Sequence, residues 1–143
     1  MVVDVANVMG ARADGWWRDR AGAALRLCRE VDALARRGDE AATRDVGEWV
    51  LVLEGQAREA LAVLRADGSD GGGGSGEGEP LLRLVPAPGS GDDAIVNVVA
   101  EVVAREQTCL VVTADRELRR RCEELNASVV GPGWLLRLLQ QVT

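Results

Sequence analysis

Histidine, lysine, tyrosine and phenylalanine are all missing from this chain of 143 residues. Without histidine, Ser-His-Asp and Cys-His catalysis and a histidine-based ribonuclease mechanism are excluded. Without lysine, the chain has no P-loop, no Schiff-base catalyst and no Ser-Lys pair. Zinc sites of the usual Cys/His types are excluded as well. Any unaided chemistry therefore depends on carboxylates, whose natural partner is a hard cation such as Mg²⁺ or Mn²⁺.

Cysteine is scarce, and long apolar runs are absent. Cys28, Cys109 and Cys122 are widely spaced and form no CxxC pair, which predicts reduced, partly buried thiols in a cytoplasmic protein. No segment has the length of a membrane span, and the N-terminus lacks a signal-peptide pattern, so we expect no membrane partner. The net charge of −6 disfavours non-specific binding to duplex DNA or to anionic membranes.

Apolar runs alternate with amphipathic stretches, which predicts one α/β domain over residues 1–143 with a mostly parallel sheet. The predicted strands begin with the run at residues 2–5 and continue at 49–53, 81–85, 109–112 and 129–130. A loop is predicted at residues 9–17, and helices at 18–37, after Asp93, at 116–125 and at 134–142, with a turn at 131–133 before the last. Residues 56–65 are compatible with a short helix or an irregular crossover. The Gly-rich segment at about 67–80 predicts a disordered surface loop; a phosphate cradle is disfavoured because no strand leads into it.

Carboxylates follow four of the predicted strands. Asp4 ends the first strand, Glu54 the second and Asp115 the fourth, while the third leads through a short turn to Asp92 and Asp93. The carboxyl ends of parallel strands share one edge of the sheet, so these acids are expected to converge. Two carboxylates about 4 Å apart repel by roughly 4 kcal/mol at an effective dielectric near 20, which favours a bound cation or protonation of some acids. The alternative for Asp92 and Asp93 is helix capping, for which one Asp would suffice.

Three short motifs follow one another along the chain: VDVAN at residues 3–7, GDDAIV at 91–96 and VVTADREL at 111–118. Together they resemble the NYN branch of the PIN-like nucleases, close to the YacP-like group. The resemblance implies a three-layer sandwich whose five-stranded, mostly parallel sheet has the order 3-2-1-4-5. It also implies metal-dependent cleavage of phosphodiester bonds, usually in RNA.

The resemblance assigns roles to individual acids. Asp4, Asp92 and Asp115 match the family's catalytic, metal-binding acids, and Asp93 is a further metal ligand or a cap. One or two Mg²⁺ or Mn²⁺ ions are expected, since Mg²⁺ keeps several waters and needs few protein carboxylates.

Three further residues are expected to support these acids. Asn7 matches the family's amide three positions beyond the first Asp. Thr113 is expected to orient Asp115 or to contact the water shell of the metal. Glu54 stands where related proteins often carry an Asp before a glycine, and this correspondence is loose.

Substrate binding is assigned to arginine, because the chain has no other cationic side chain. The predicted substrate-binding residues flank two of the acids: Arg12, Arg18, Arg20 and Trp17 after the first strand, and Arg116 and Arg119 after the fourth. The alternatives are structural. The arginine run at 119–121 usually marks a solvated helix face, and packing of Trp16 and Trp17 against the first helix is favoured over base stacking. Trp49 and Trp134 are expected in the core.

The leading prediction is a divalent-metal-dependent endoribonuclease in which a bound ion polarises the phosphate and activates water for in-line attack. The expected products carry a 5′-phosphate and a 3′-hydroxyl. The first alternative is a non-catalytic RNA-binding or scaffold domain with the same fold. A small-molecule phosphohydrolase is weaker, because no GxGxxG follows the first strand. The expected partner is single-stranded or structured RNA, and a homodimer is compatible with the sequence.

Overall fold

The computed structural model describes residues 1–37, 46–66 and 82–142, so the segment at 67–80 that was predicted to be disordered lies outside the described residues. Strands and helices follow in this order: β1 (Val2–Asp4), α1 (Val5–Gly10), α2 (Arg20–Arg37), β2 (Trp49–Leu53), α3 (Ala60–Ala66), β3 (Leu82–Pro86), α4 (Gly91–Ala104), β4 (Leu110–Val112), α5 (Arg116–Glu124), β5 (Ser128–Val130) and α6 (Pro132–Val142). Two 3₁₀ turns, Trp16–Arg18 and Gly55–Glu59, precede α2 and α3. Within these ranges, no helix combines the length and the apolar character needed to cross a membrane.

The five strands form one all-parallel sheet in the order β3-β2-β1-β4-β5, which confirms the predicted fold class and strand order. The chain leaves β1 to build β2 and β3 on one side of it, and then crosses over to place β4 on the other side. The strand order therefore reverses between β1 and β4. In open parallel sheets, such a reversal is where ligands bind, just outside the carboxyl ends of the strands.

Helices cover both faces of the sheet, because successive strand residues point to opposite sides. Val3 and Leu51 pack in the core formed with α1, α2, α3 and α6, whereas Val2 and Val52 pack in the core formed with α4 and α5. Asp4 lies two positions after Val2, and Glu54 lies two positions after Val52. The alternation of the strands directs both carboxylates toward the side of α4 and α5.

Two short stretches differ from the prediction for local reasons. The first strand was expected to reach Val5 and a loop to follow at residues 9–17; instead α1 begins at Val5. Asp4 ends the strand because its carboxylate accepts the backbone N–H of Asn7 and caps α1. The last helix also begins two residues earlier than predicted, at Pro132, because proline is favoured at a first helical position, and the backbone N–H of Trp134 bonds to the carbonyl of Gly131 across the predicted turn.

Other predictions hold within the described residues. Residues 55–66 form a 3₁₀ turn followed by α3, so the region after β2 is helical and not an irregular crossover. Trp49 is fully buried and Trp134 is partly buried against the same core. The three cysteines are buried free thiols, as their spacing indicated.

Candidate functional site

Asp4 is the buried centre of the candidate site. Asp4 and Thr113 are the two buried polar residues in the described part of the chain, 5% and 3% exposed. Oδ2 of Asp4 accepts hydrogen bonds from Nδ2 of Asn7 at 3.0 Å and from the hydroxyl of Thr113 at 2.9 Å. Oδ1 accepts the backbone N–H of Asn7 at 3.3 Å. Because all three donors are neutral, Asp4 is held in a fixed orientation without its charge being cancelled.

The electrostatic surroundings of Asp4 disfavour its ionised form. Burial is the largest influence and raises the pKa of the Asp4 carboxyl above its ordinary value. The hydrogen bonds from Thr113 and Asn7 oppose this rise, and the negative charges of Glu54 and Asp92 add to it. A nearby cation would reverse this balance, because it stabilises the ionised carboxylate.

Asn7 and Thr113 also tie β1 to the segment that follows β4. Oδ1 of Asn7 accepts the backbone N–H of Ala114 at 3.1 Å, and the Thr113 hydroxyl oxygen accepts the backbone N–H of Asp115 at 3.2 Å. The backbone N–H of Thr113 itself bonds to the carbonyl of Val130 in β5. Thr113 therefore contacts Asp4 through its hydroxyl proton and positions Asp115 through the backbone, in keeping with the supporting role expected of both residues.

Asp115 and Asp92 come from the helices on the same side of the sheet. Asp115 caps α5, with Oδ1 accepting the backbone N–H of Leu118 at 2.9 Å. Ser90, not Asp92, caps α4, because its hydroxyl oxygen accepts the backbone N–H of Asp92 at 3.2 Å. Burial raises the pKa of Asp92, followed by the negative charges of Asp115 and Glu54. Asp92 therefore supplies no side-chain cap, although it lies in the first turn of α4, where a negative charge interacts favourably with the helix dipole.

Asp93 is exposed and paired with an arginine of the neighbouring helix, although its charge also raises the pKa of Asp92. It lies in α4, its side chain is 82% exposed, and Oδ1 accepts a hydrogen bond from Arg121 of α5 at 3.0 Å. This ion pair joins the two helices on that face of the sheet. The geometry favours the structural reading of Asp93 over its predicted role as a metal ligand.

Glu54 reaches the start of α4. Its carboxylate accepts the backbone N–H of Gly91, the first residue of that helix. A Cβ atom at position 91 would lie 2.8 Å from Oε2 of Glu54, so only glycine permits this approach. Glu54 raises the pKa of Asp4 and of Asp92, which adds a fourth carboxylate to the group.

We call Asp4, Glu54, Asp92 and Asp115 the acid edge. Each acts electrostatically on at least one other member. Across the described residues, however, no three His, Cys, Asp or Glu side chains lie close enough together to hold a metal ion between them. The all-oxygen, acidic donor set fits Mg²⁺ or Mn²⁺ in its chemistry. The arrangement suits an ion that takes one or two of these carboxylates directly and completes its shell with water.

A cavity of about 780 Å³ opens at the opposite, amino edge of the sheet. Its lining includes Val2, Glu48 and Cys109, at or next to the starts of strands, and Arg105 at the end of α4. Glu48 is the single acid among the described residues that line it, so the cavity lacks the converging charges of the acid edge. The acid edge therefore remains the candidate site.

Some predicted substrate-binding arginines already have partners. Both terminal nitrogens of Arg12 donate to the carboxylate of Glu30, at 2.6 and 2.8 Å, and this pair fixes the turn after α1 to α2. Arg119 forms an ion pair with Glu123 at 3.4 Å on the outer face of α5. For these two residues, the geometry favours the structural alternative over phosphate binding.

The other predicted substrate-binding residues are exposed: Arg18, Arg20, Arg116 and Trp17. The three arginines have no carboxylate partner among the described residues. Arg116 immediately follows Asp115 and is the predicted cation nearest in sequence to a member of the acid edge. Trp16 is only partly exposed and packs beside Gly10, so it combines the packing role with some access to solvent.

Sequence reasoning missed two residues that shape the site, Gly91 and Arg121. The Ser90-Gly91 pair before two acids was the available signal for Gly91, because serine is a strong helix cap. Arg121 stands three positions after the inward-facing Leu118, and this spacing places it at the border of the buried face of α5.

Comparisons of the chain with protein-family models, with curated proteins and with solved structures give no match. The resemblance to PIN-like nucleases therefore stays a prediction based on the three motifs. The fold and the geometry of the acid edge are the independent observations.

Proposed function

We propose that the protein is a divalent-metal-dependent endoribonuclease of the PIN-like type. The observation that carries this proposal is the position of Asp4. A buried carboxylate ends the central strand at the reversal of strand order, is oriented by Asn7 and Thr113, and has Asp92 and Asp115 on the neighbouring helices. Such a group is electrostatically unfavourable in the free protein and becomes favourable when a cation binds.

Each side chain of the site has a distinct role in the proposed hydrolysis. A bound Mg²⁺ or Mn²⁺ would supply a Lewis acid for the scissile phosphate and lower the pKa of a coordinated water. Asp4 is the best oriented acid for holding the ion, because three hydrogen bonds fix its carboxylate. Asp92 and Asp115 extend the negative field from the adjacent helices. The guanidinium of Arg116, beside Asp115, is available to bind a substrate phosphate.

A purely RNA-binding role at this edge is less well supported. Four carboxylates repel a polyanion unless a cation lies between them, so the acid edge is unsuited to direct phosphate binding. A binding module would instead place its exposed arginines at the contact. This comparison favours catalysis through a cation at the acid edge.

The test is cleavage of end-labelled RNA with Mn²⁺, with Mg²⁺ and with EDTA. Asp4→Asn and Asp115→Asn should each reduce cleavage at least 100-fold, because loss of outer-shell partners alone costs about 10- to 100-fold in metal sites. Asp32→Asn is the matched control, since Asp32 forms an exposed ion pair with Arg36 on α2, away from the acid edge. Equal cleavage by the wild type and both site variants would refute the proposal.

A divalent-ion titration of thermal stability separates this function from its alternative. The nuclease proposal predicts that Mn²⁺ raises the melting temperature of the wild type, and raises that of Asp92→Asn much less. RNA binding without cleavage and without stabilisation by divalent ions would favour the non-catalytic alternative. Turnover of free nucleotides without RNA cleavage would instead favour a small-molecule phosphohydrolase.

A further inference from the structure

Two tryptophans and two arginines form one surface patch at the turn before α2. The rings of Trp16 and Trp17 meet edge to face, with centroids 6.0 Å apart and an interplanar angle of 89°. The guanidinium of Arg18 lies 5.8 Å from the centroid of Trp17, and that of Arg20 lies 5.4 Å from the centroid of Trp16. We call these four residues the Trp-Arg patch.

The patch is open to solvent on its aromatic side. Trp17 is 56% exposed and is one of two exposed large hydrophobic residues among those described. A tryptophan that only packed the turn against α2 would be covered, as Trp49 is in the core. The exposed ring therefore has a surface that contacts within the described chain do not use.

The patch also carries uncancelled positive charge. Arg18 and Arg20 have no carboxylate partner among the described residues, whereas the nearby Arg26 is paired with Asp14 at 3.2 Å. Asp19 lies between the two arginines in sequence, but Oδ1 of Asp19 accepts the backbone N–H of Gly22 and caps α2. The patch therefore presents two arginines without carboxylate partners next to an exposed indole, in a chain of net charge −6.

Two ion pairs connect the loop that precedes the patch to α2. The Arg12–Glu30 pair and the Asp14–Arg26 pair connect it to α2, and Gly15 adopts a φ of 76° that permits the tight bend. A ligand that binds here does not have to order the turn first, so binding loses less conformational entropy.

Helix α1 connects the first acid of the acid edge to the base of the patch. A Cβ atom on Gly10, the last residue of α1, would be 3.8 Å from the ring of Trp16. Helix α1 starts directly after Asp4 and has six residues. At 1.5 Å per residue, this corresponds to about 9 Å along its axis. One short helix therefore connects Asp4 to the residue that packs against Trp16.

We propose that the Trp-Arg patch binds single-stranded RNA, with an unpaired base stacked on Trp17 and phosphates contacted by Arg18 and Arg20. Aromatic rings beside arginines suit single strands because every base has a face that can stack, whereas a duplex hides those faces. The inference rests on the proposed function in one respect: the bound RNA is the substrate only if the protein is the nuclease proposed above. It narrows that substrate from RNA in general to RNA with unpaired bases.

The experiment measures binding by fluorescence anisotropy, in EDTA, of a labelled single-stranded uridine oligomer. Trp17→Ala should weaken binding by about 5- to 150-fold, which is the range for loss of one stacked base. Arg18→Gln and Arg20→Gln should each reduce the slope of log affinity against log salt by about 0.7, because each removes one phosphate contact on a single strand. Trp17→Phe keeps an aromatic face and should retain most of the affinity.

Matched controls come from elsewhere on the surface. Val63→Ala removes the other exposed large hydrophobic residue, and Arg137→Gln removes an exposed arginine of α6; both should bind as the wild type does. An abasic oligomer should bind the wild type as weakly as the uridine oligomer binds Trp17→Ala. Unchanged binding by Trp17→Ala, or equal binding of the abasic oligomer or of a duplex by the wild type, would refute the proposal.

The same measurements separate this inference from the nuclease proposal. Binding in EDTA needs no metal, so Asp4→Asn should bind the oligomer at least as tightly as the wild type, because it removes one repelling carboxylate, even though it does not cleave. If the wild type binds RNA through the patch but never cleaves it, the proposed binding role of the patch is supported and the nuclease proposal is refuted. If RNA cleavage depends on metal but Trp17→Ala leaves the KM for single-stranded RNA unaltered, the nuclease proposal is supported and the proposed binding role of the patch is refuted.

Discussion

Replacing Thr113 by valine removes one hydroxyl group from beneath the acid edge and preserves the shape of the side chain. That hydroxyl donates to the buried carboxylate of Asp4 at 2.9 Å and accepts the backbone N–H of Asp115 at 3.2 Å. A hydrogen bond to a charged group contributes about 1.5–3 kcal/mol, and an unpaired, partly buried N–H adds to the loss. We therefore expect Thr113→Val to lower the free energy of unfolding by about 2–4 kcal/mol.

This loss is large enough to measure in a thermal melt followed by circular dichroism. For a domain of 143 residues, 1 kcal/mol corresponds to about 3 °C, so the melting temperature should fall by about 6–12 °C at neutral pH. Thr108→Val is the matched control, because Thr108 is exposed and lies at the opposite edge of the sheet. Its melting temperature should stay within about 2 °C of the wild type.

The effect should depend on pH in a defined direction. The folded-state pKa of Asp4 is raised above its ordinary value of 3.8, so Asp4 contributes most to stability below that value, and the contribution is lost as pH rises through the folded pKa. The Thr113 hydrogen bond lowers the pKa of Asp4, and its removal raises that pKa further. The penalty of Thr113→Val should therefore be greatest at neutral pH and shrink toward pH 4.

Two results would refute this reasoning. A melting temperature equal to that of the wild type at neutral pH would mean that the hydroxyl does not support Asp4. A penalty that is the same at pH 4 and at pH 7 would assign the whole effect to the N–H of Asp115, with no contribution from the charge of Asp4.

Three further changes test other parts of the structure. Arg12→Ala should lower the free energy of unfolding in a urea titration by about 1.5–3 kcal/mol, because the Glu30 carboxylate loses both hydrogen bonds from its guanidinium partner; an unchanged midpoint would contradict this. Glu106→Gly should raise the free energy of unfolding by about 1 kcal/mol, because Glu106 has a φ of 60° after the end of α4, where glycine is unstrained. A lower melting temperature would contradict this explanation. Gly91→Ala should reduce metal-dependent RNA cleavage by about 10-fold or more with little change in stability, because the new Cβ would displace Glu54; full activity would show that Glu54 is dispensable.

The edge that gathers the acids was predictable from local patterns, whereas the order of the strands was predicted from the resemblance to PIN-like nucleases. The run at residues 49–53 is apolar throughout, which is typical of a strand buried on both faces, and Glu54 follows it directly. Asp4 is the last residue of its strand, and Asp115 follows the end of β4 by three positions. Since parallel strands bring their carboxyl ends together, the topology places these residues on one edge without further information.

The partners of individual side chains were not predictable from spacing. Asp92 and Asp93 are neighbours in sequence, but successive residues of an α-helix are about 100° apart around its axis. Asp92 therefore faces the acid edge, while Asp93 turns toward Arg121. Arg12 was expected to bind substrate, yet its partner Glu30 is 18 positions away along the chain, and only the folded structure brings the two together.

Helix α1 was missed because its signal was read as the end of a strand. Asp4 is three positions before Asn7, and Val5, Val8 and Met9 form the buried face of one short helical turn. An acid that ends a strand and caps the next helix leaves no loop between them. The sequence contained the cap, but the tertiary packing of six residues decides whether so short a helix forms.

Asp4 belongs to the acid edge and also caps α1, which limits the replacements that position 4 can accept during evolution. Because the same carboxylate caps α1, most replacements at position 4 would remove both the charge and the start of the helix. Among residues without a charge, asparagine and serine are the strongest helix caps. If the proposed nuclease function is correct, a descendant that loses catalysis but keeps this architecture is expected to carry asparagine or serine there. A single position in an alignment would then separate active from inactive copies of the fold.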